Sequence, residues 1–221
     1  MTLTGKLITF FPALNVTLVI ASFIAFIVEP SLYYALIVLF SIYGFPLMSF
    51  HIHQYLCPLK EDTSSIVKGY SAWYGTHMIQ NMHITFPAFE RLLRIVPGVF
   101  SLWLRLWGSK VGKSVHWTTQ LEIADRSLIE VGDNCVFGYN VKLSSHVIKP
   151  SSEHGMVVYV KRICVRKNSL VGAVTQMAPG VIVEEGALVP ALSNLYPDTT
   201  IERKVSKKEN KQTNSASTET V

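Results

Sequence analysis

Residues 165–191 read VRKNSLVGAVTQMAPGVIVEEGALVPA, and every sixth position holds a large apolar side chain: Val165, Val171, Met177, Val183 and Val189. Four residues after each stands a second, mostly smaller candidate for the interior: Ser169, Thr175, Val181, Ala187 and Ser193. A period of six matches neither the helical 3.6 nor the strand alternation of two. It fits one short strand plus one corner, stacked so that each large residue sits on its equivalents in the coils above and below. The same register appears upstream at Val111, Trp117 and Ile123, and after a slip of two residues at Val131, Phe137 and Leu143. Tyr159 occupies it just before Val165. The accompanying small positions are Val115, Leu121, Ser127, Cys135, Val141, Val147 and Ile163, with Gly112-Lys113-Ser114, Gly132-Asp133-Asn134 and Pro179-Gly180 suited to corners.

The stretches VGDNCVFGYNVKLSSH (131–146) and 165–191 resemble the hexapeptide-repeat acyltransferases, the group of sugar and antibiotic O-acetyltransferases. The resemblance covers about residues 109–196, and FERLLRIVPGVFSLWLRLWGSKVG (89–112) is similar to the lead-in of membrane-attached members. It implies a mainly β fold, a left-handed parallel β-helix, usually assembled as a homotrimer, with acyl-CoA (acetyl-CoA foremost) as donor and no metal.

Acyl transfer from a thioester needs a base for the acceptor's proton and donors for the developing oxyanion. His146 ends the coil VKLSS just before the repeat breaks at about 148–158, and the resemblance places a general base at that point. His154, inside the break, is the substitute or else a loop residue; His116 sits at an early corner and takes no role. Asn140 matches an acceptor-side asparagine of the family, although Tyr139 stands where its proline is usual; equally, an asparagine suits a left-handed corner. Asp125, at the slipped register, and Ser145, beside the base, are further acceptor-binding candidates; a satisfied turn is the other reading of Asp125. Gly172-Ala173 matches the element that meets the pantetheine arm in the family, or Gly172 serves a corner of positive φ. Lys204, in a basic set with Arg203, Lys207 and Lys208, is placed to meet cofactor phosphates or is part of a solvated tail.

Upstream of the repeat the chain is oily. Between Met1 and Phe50 only Lys6 and Glu29 are charged, against 16% for the whole 221-residue chain, whose mean hydropathy is +0.30. Ile8–Val28 and Leu32–Phe50 are each about the 20 residues a membrane span needs, with Glu29-Pro30 as the turn. The turn lacks Lys and Arg, whereas Lys60, Lys68, Arg91 and Arg94 follow the second run, which predicts a cytoplasmic bulk. Residues 51–108 read as a helical collar. Phe89, Leu92, Leu93, Val96, Phe100, Trp103, Leu104 and Trp107 form an apolar stripe, with Glu90, Arg91, Arg94 and Arg105 off it and a break at Pro97-Gly98. Its tryptophans, Trp73, Trp103 and Trp107, either sit at headgroup level or pack onto the following domain.

Three separated cysteines exclude a disulfide framework or a CxxC metal site. The net charge of +5 beside an oily N-terminus points to an anionic leaflet, not nucleic acid. The expected organisation is therefore a transmembrane hairpin (1–50), collar (51–108), β-helix (109–203) and a disordered polar tail (204–221). The expected activity is acyl transfer from acyl-CoA to a hydroxyl or amine of a membrane-linked sugar, envelope precursor or lipid, in a multi-pass protein of the bacterial cytoplasmic membrane. Two other readings stand beside it: a non-catalytic trimeric membrane scaffold, and a zinc enzyme of carbonic-anhydrase type using His116, His146 and His154. His51, His53 and Cys57 form a looser cluster without strong zinc spacing.

Overall fold

A computed structural model describes residues 2–203; Lys204 and the polar segment 204–221 lie outside the described residues. The apolar N-terminus forms α1 (Leu3–Ile8), α2 (Phe11–Val28), α3 (Leu32–Leu39) and α4 (Phe45–Leu56), with a π-helical turn at Phe40–Gly44 joining α3 to α4. Ser31 starts α3 by accepting a hydrogen bond from the Tyr34 N–H. Two stretches, Leu3–Val28 and Leu32–Leu56, are long and apolar enough to cross a membrane. The second thus runs past position 50, where hydropathy alone ends it, and carries His51 and His53 on its last turns. After β1 (Thr63–Ser65) come the collar helices α5 (Ala72–Thr85), α6 (Ala88–Leu93) and α7 (Val99–Leu106). The expected break falls between the last two, where Gly98 takes φ 85°.

From residue 110 the chain makes short strands that enter three parallel sheets in rotation. The first sheet stacks β2 (Lys110–Val111), β4 (Ile129–Val131), β9 (Ile163–Val165), β12 (Ile182–Val183) and β15 (Thr200–Ile201). The second holds β3 (Glu122–Ile123), β6 (Lys142–Leu143), β11 (Gln176–Met177) and β14 (Asn194–Leu195), and the third β5 (Val136–Phe137), β10 (Leu170–Val171) and β13 (Leu188–Val189). Val165 pairs with Val183 and Val183 with Ile201, eighteen residues apart, so three six-residue units make one circuit. Phe137, Val171 and Val189 form a second column and Ile123, Leu143, Met177 and Leu195 a third. Nearly all of these side chains are buried in one core.

Two positions depart from the six-residue register. Val147 and Tyr159 lie in an antiparallel hairpin, β7 (His146–Ser151) and β8 (Gly155–Val160), which leaves the stack and is extended by β1. Val147 is exposed, and the Tyr159 hydroxyl donates to Asp198. The hairpin's own alternation turns Val158 and Val160 inward instead, against Trp73 and Leu128.

The collar closes the open end of the stack. Trp117 stacks on Phe137 at 4.8 Å and donates its indole N–H to Ser101 of α7. Trp73, Trp103 and Trp107 are all buried, so the collar's tryptophans pack onto the protein. Glu90, which lies off the apolar stripe, is buried too and forms a two-pronged pair with Arg126 while accepting the Trp103 N–H. Burial raises the Glu90 pKa, but the Arg126 charge outweighs it and holds the carboxyl below its usual range.

Gly172 is not at a corner of positive φ. It is small because a Cβ there would meet the Ala191 backbone nitrogen at 2.4 Å, in the coil above. Val174, two residues on, does take the left-handed region, φ 59°, which a β-branched residue adopts only under strain. Gly172→Ala is therefore expected to lower unfolding stability by about 1–3 kcal/mol, and Val174→Asn to raise it by about 1 kcal/mol. Denaturant titration of the two variants in detergent checks both signs, and an unchanged Gly172→Ala protein contradicts the stacking.

Candidate active site

The two-residue slip at 124–128 decides the local geometry. Asp125 and Arg126 both turn inward, 2% and 1% exposed, where a regular coil would place one corner. Arg126 goes to Glu90, its backbone N–H to Gln80, and its carbonyl accepts from the Ser109 hydroxyl. Asp125 goes to the point where β6 gives way to β7. One carboxylate oxygen accepts from His146 Nδ1 at 2.7 Å and from the Ser145 N–H at 3.0 Å. The other accepts from the Trp73 indole N–H at 3.0 Å, and His77 Nδ1 stands 4.0 Å away, beyond hydrogen-bond length. Burial raises the Asp125 pKa; the partnership with His146 and His77 outweighs it and keeps the carboxyl well below the usual carboxylate range.

An ionised Asp125 accepts, so His146 carries its hydrogen on Nδ1 and presents Nε2 as a lone pair. The ring is held from two more sides: Trp73 at 4.5 Å between centroids and His77 edge-on at 5.2 Å. Its remaining surface lines a cleft of about 530 Å³ on the outward face of the second sheet, shared with Lys142, Ser144, Gln176, Asn194 and Tyr196. A larger cleft of about 820 Å³ on the first sheet is lined largely by charged side chains, among them the pairs Lys110–Glu130, Arg166–Glu130 and Lys167–Glu185. It holds no candidate base.

The sequence candidates divide as follows. His146 lines the cleft and Asp125 touches it, but Asp125 is sealed from any acceptor and acts on the imidazole. Ser145 is fully buried, with its hydroxyl donating to the Leu128 carbonyl. Asn140 occupies a left-handed corner, φ 53°, and does not line the His146 cleft; nor do Gly172 and Ala173, at the corner between the third and second sheets. His154 is at the exposed hairpin tip beside Glu153, and His116 forms a lone bridge with Val136. These two histidines and His146 therefore do not make one ligand set. Trp73 and His77 join the site from α5, and the one sequence signal for them is their i, i+4 spacing, continued on the same side by Gln80.

His77, Asp125 and His146 bring potential ligand atoms within 4.8 Å of one another. Both carboxylate oxygens already accept N–H donors, and the 2.7 Å His146–Asp125 separation is that of a charge-assisted hydrogen bond. The arrangement suits proton transfer at Nε2 better than metal binding.

No family model matches the chain, and no curated protein matches it. Among solved structures, it is similar to a hexapeptide-repeat-containing acetyltransferase from Vibrio cholerae (13% identity, 57% of this chain and 93% of that one, TM-score 0.39). It is similar also to a galactoside acetyltransferase in complex with coenzyme A (14%, 56% and 82%, 0.37) and to a mutant of the N-acyltransferase AntD from Bacillus cereus in complex with dTDP and coenzyme A (12%, 50% and 81%, 0.34).

Trp73→Phe keeps the ring but leaves one Asp125 oxygen short of a donor, at a cost of about 1–3 kcal/mol. Because the native pKa of Asp125 lies below the unfolded 3.8, its charge contributes stability above that value and loses it as pH falls through the native one. The stability gap between wild type and Asp125→Asn should hold from neutral pH to about 4 and close below it. A gap that closes between pH 7 and 5 in detergent melts contradicts an ionised Asp125.

Proposed function

We propose that this chain is an acyl-CoA-dependent acyltransferase of the hexapeptide-repeat type, its three-faced stack a left-handed parallel β-helix and His146 its general base. The observation that supports the reading is the hydrogen bond from His146 to the buried Asp125, with the imidazole among the residues lining the cleft beside the second sheet. His146 Nε2 takes the proton of an acceptor hydroxyl or amine as that oxygen or nitrogen attacks the thioester carbonyl. Asp125 holds the imidazolium that forms. Collapse of the tetrahedral intermediate breaks the carbon–sulfur bond and releases the CoA thiolate, which takes up a proton.

The two apolar stretches, read as spans with both ends on the cytoplasmic side, anchor this chemistry at the bilayer. Tethering raises the effective concentration of an acceptor fixed in the same membrane. The acceptor is accordingly a lipid-linked sugar, an envelope precursor or a lipid headgroup. Gly172-Ala173 remains the proposed contact for the pantetheine arm, and a homotrimer the proposed assembly. Its apolar face is the third sheet, where Val136, Leu170 and Leu188 form an outward column.

The cluster of His77, Asp125 and His146 is the one observation favouring a zinc enzyme. One experiment separates the readings. His146→Ala is expected to lower acyl transfer by about 10²–10⁴-fold and to remove one acyl mass from a membrane component in lipid mass spectrometry, with expression unchanged. Unaltered acylation, or near-stoichiometric zinc in the pure protein, contradicts the proposal.

A further inference from the structure

A second cleft, of about 520 Å³, opens where the first coil meets the segment from Arg94 to Arg105, and it shares no lining residue with the His146 cleft. Four basic side chains line it, Arg94, Arg105, Lys113 and His116, and no Asp or Glu does. Among the described residues none of the four has a carboxylate within ion-pair distance, whereas Lys110, Arg166 and Lys167 on the neighbouring face are each paired with glutamate. The nearby Asp133 carboxylate accepts from the Lys113 backbone N–H, not from its ammonium.

The two guanidiniums are held in place by neutral acceptors. Arg94 donates to the Thr119 and Leu121 carbonyls and lies 4.1 Å over the Phe100 ring, while its Nε is buried without a partner. Arg105 donates to the Val111 and Gly112 carbonyls. Carbonyl oxygens orient these cations but leave their charge uncompensated. Burial pushes Arg94 down to about 10; the Glu90 charge opposes that shift, and the Arg126 and Arg91 charges add to it. The uncapped amino end of α7 also faces this cleft at Gly98 and adds positive potential.

The cleft lies beside the second apolar stretch. Ile95 and Val96 are exposed at 73% and 56% on the turn beside Arg94. The Tyr43 hydroxyl of the second stretch donates to the Phe89 carbonyl, and the outer side chains Leu102 and Leu106 of α7 border an apolar groove with Tyr43 and Leu47. Cations flanked by outward apolar side chains suit a lipid phosphate with its acyl chains alongside.

We propose that this cleft binds the phosphate group of an anionic membrane lipid, with Ile95 and Val96 in the acyl region beside it. The inference rests on reading the two stretches as spans, and it holds the stack against the bilayer in one orientation. The test uses the full chain in neutral detergent micelles, titrated with phosphatidylglycerol, phosphatidylcholine or inorganic phosphate and followed by native mass spectrometry. Wild type is expected to retain phosphatidylglycerol in preference to phosphatidylcholine. Lys113→Glu, at an exposed side chain, is expected to weaken retention about tenfold with circular dichroism unchanged, and Arg105→Gln to act in the same direction. Equal retention in Lys113→Glu overturns the site. Competition by inorganic phosphate at the lipid's own concentration overturns the lipid as its source. Release of wild type from membranes by alkaline carbonate contradicts the span reading separately, and acylation by His146→Ala bears only on catalysis.

Discussion

A two-residue surplus between Ile123 and Ile129 is the constraint on which the structure turns. Past the hairpin one circuit takes eighteen residues, and circuits that include the hairpin take thirty-four, but Ile123 to Leu143 and Val111 to Val131, with no excursion between them, take twenty. The surplus cannot be absorbed in strands that keep their pairing, so it is pushed out of the corner, and Asp125 and Arg126 are driven inward against the collar. Two adjacent buried charges would be costly alone. Each is answered by a helix: Arg126 by Glu90 of α6, and Asp125 by Trp73 of α5 and by His146.

The collar and the stack are consequently one cooperative unit. α5 carries Trp73, His77 and Gln80 on one face toward residues 125–126, and the same helix packs on α2 and α4. His83, one turn further, is buried among Trp103, Trp107 and Tyr43, and burial pushes its pKa down to about 4, so it packs as a neutral ring. The base is thus oriented by a helix that rests on the apolar stretches. Truncating the apolar stretches would remove the support on which α5 rests, not merely an anchor.

The columns of the stack were legible because a six-residue period has one geometric meaning, and Val165, Val171, Met177, Val183 and Val189 keep it without interruption. The hairpin was legible only as a break. Within it, counting by six put Val147 and Tyr159 inside, whereas a period of two governs and selects Val158 and Val160. His146 stood out through the family resemblance, at the end of a coil. Its partners did not, since Asp125 looks like any corner aspartate and Glu90 like any charge off an apolar stripe. Only the fold reveals that the slip and the helix meet. At Asn140 and Gly172, corner geometry and close coil contact account for residues that a family motif also marks for ligand contact.

The central claim is that an ionised, buried Asp125 fixes the His146 imidazole with its hydrogen on Nδ1. Nitrogen-15 NMR of histidine-labelled protein in micelles, assigned by loss of the His146 signal in a substituted variant, reads that tautomer directly. At a pH where the ring is neutral, the account predicts an Nδ1–H tautomer that is lost in Asp125→Asn. An Nε2–H ring, or one indifferent to that substitution, would contradict it.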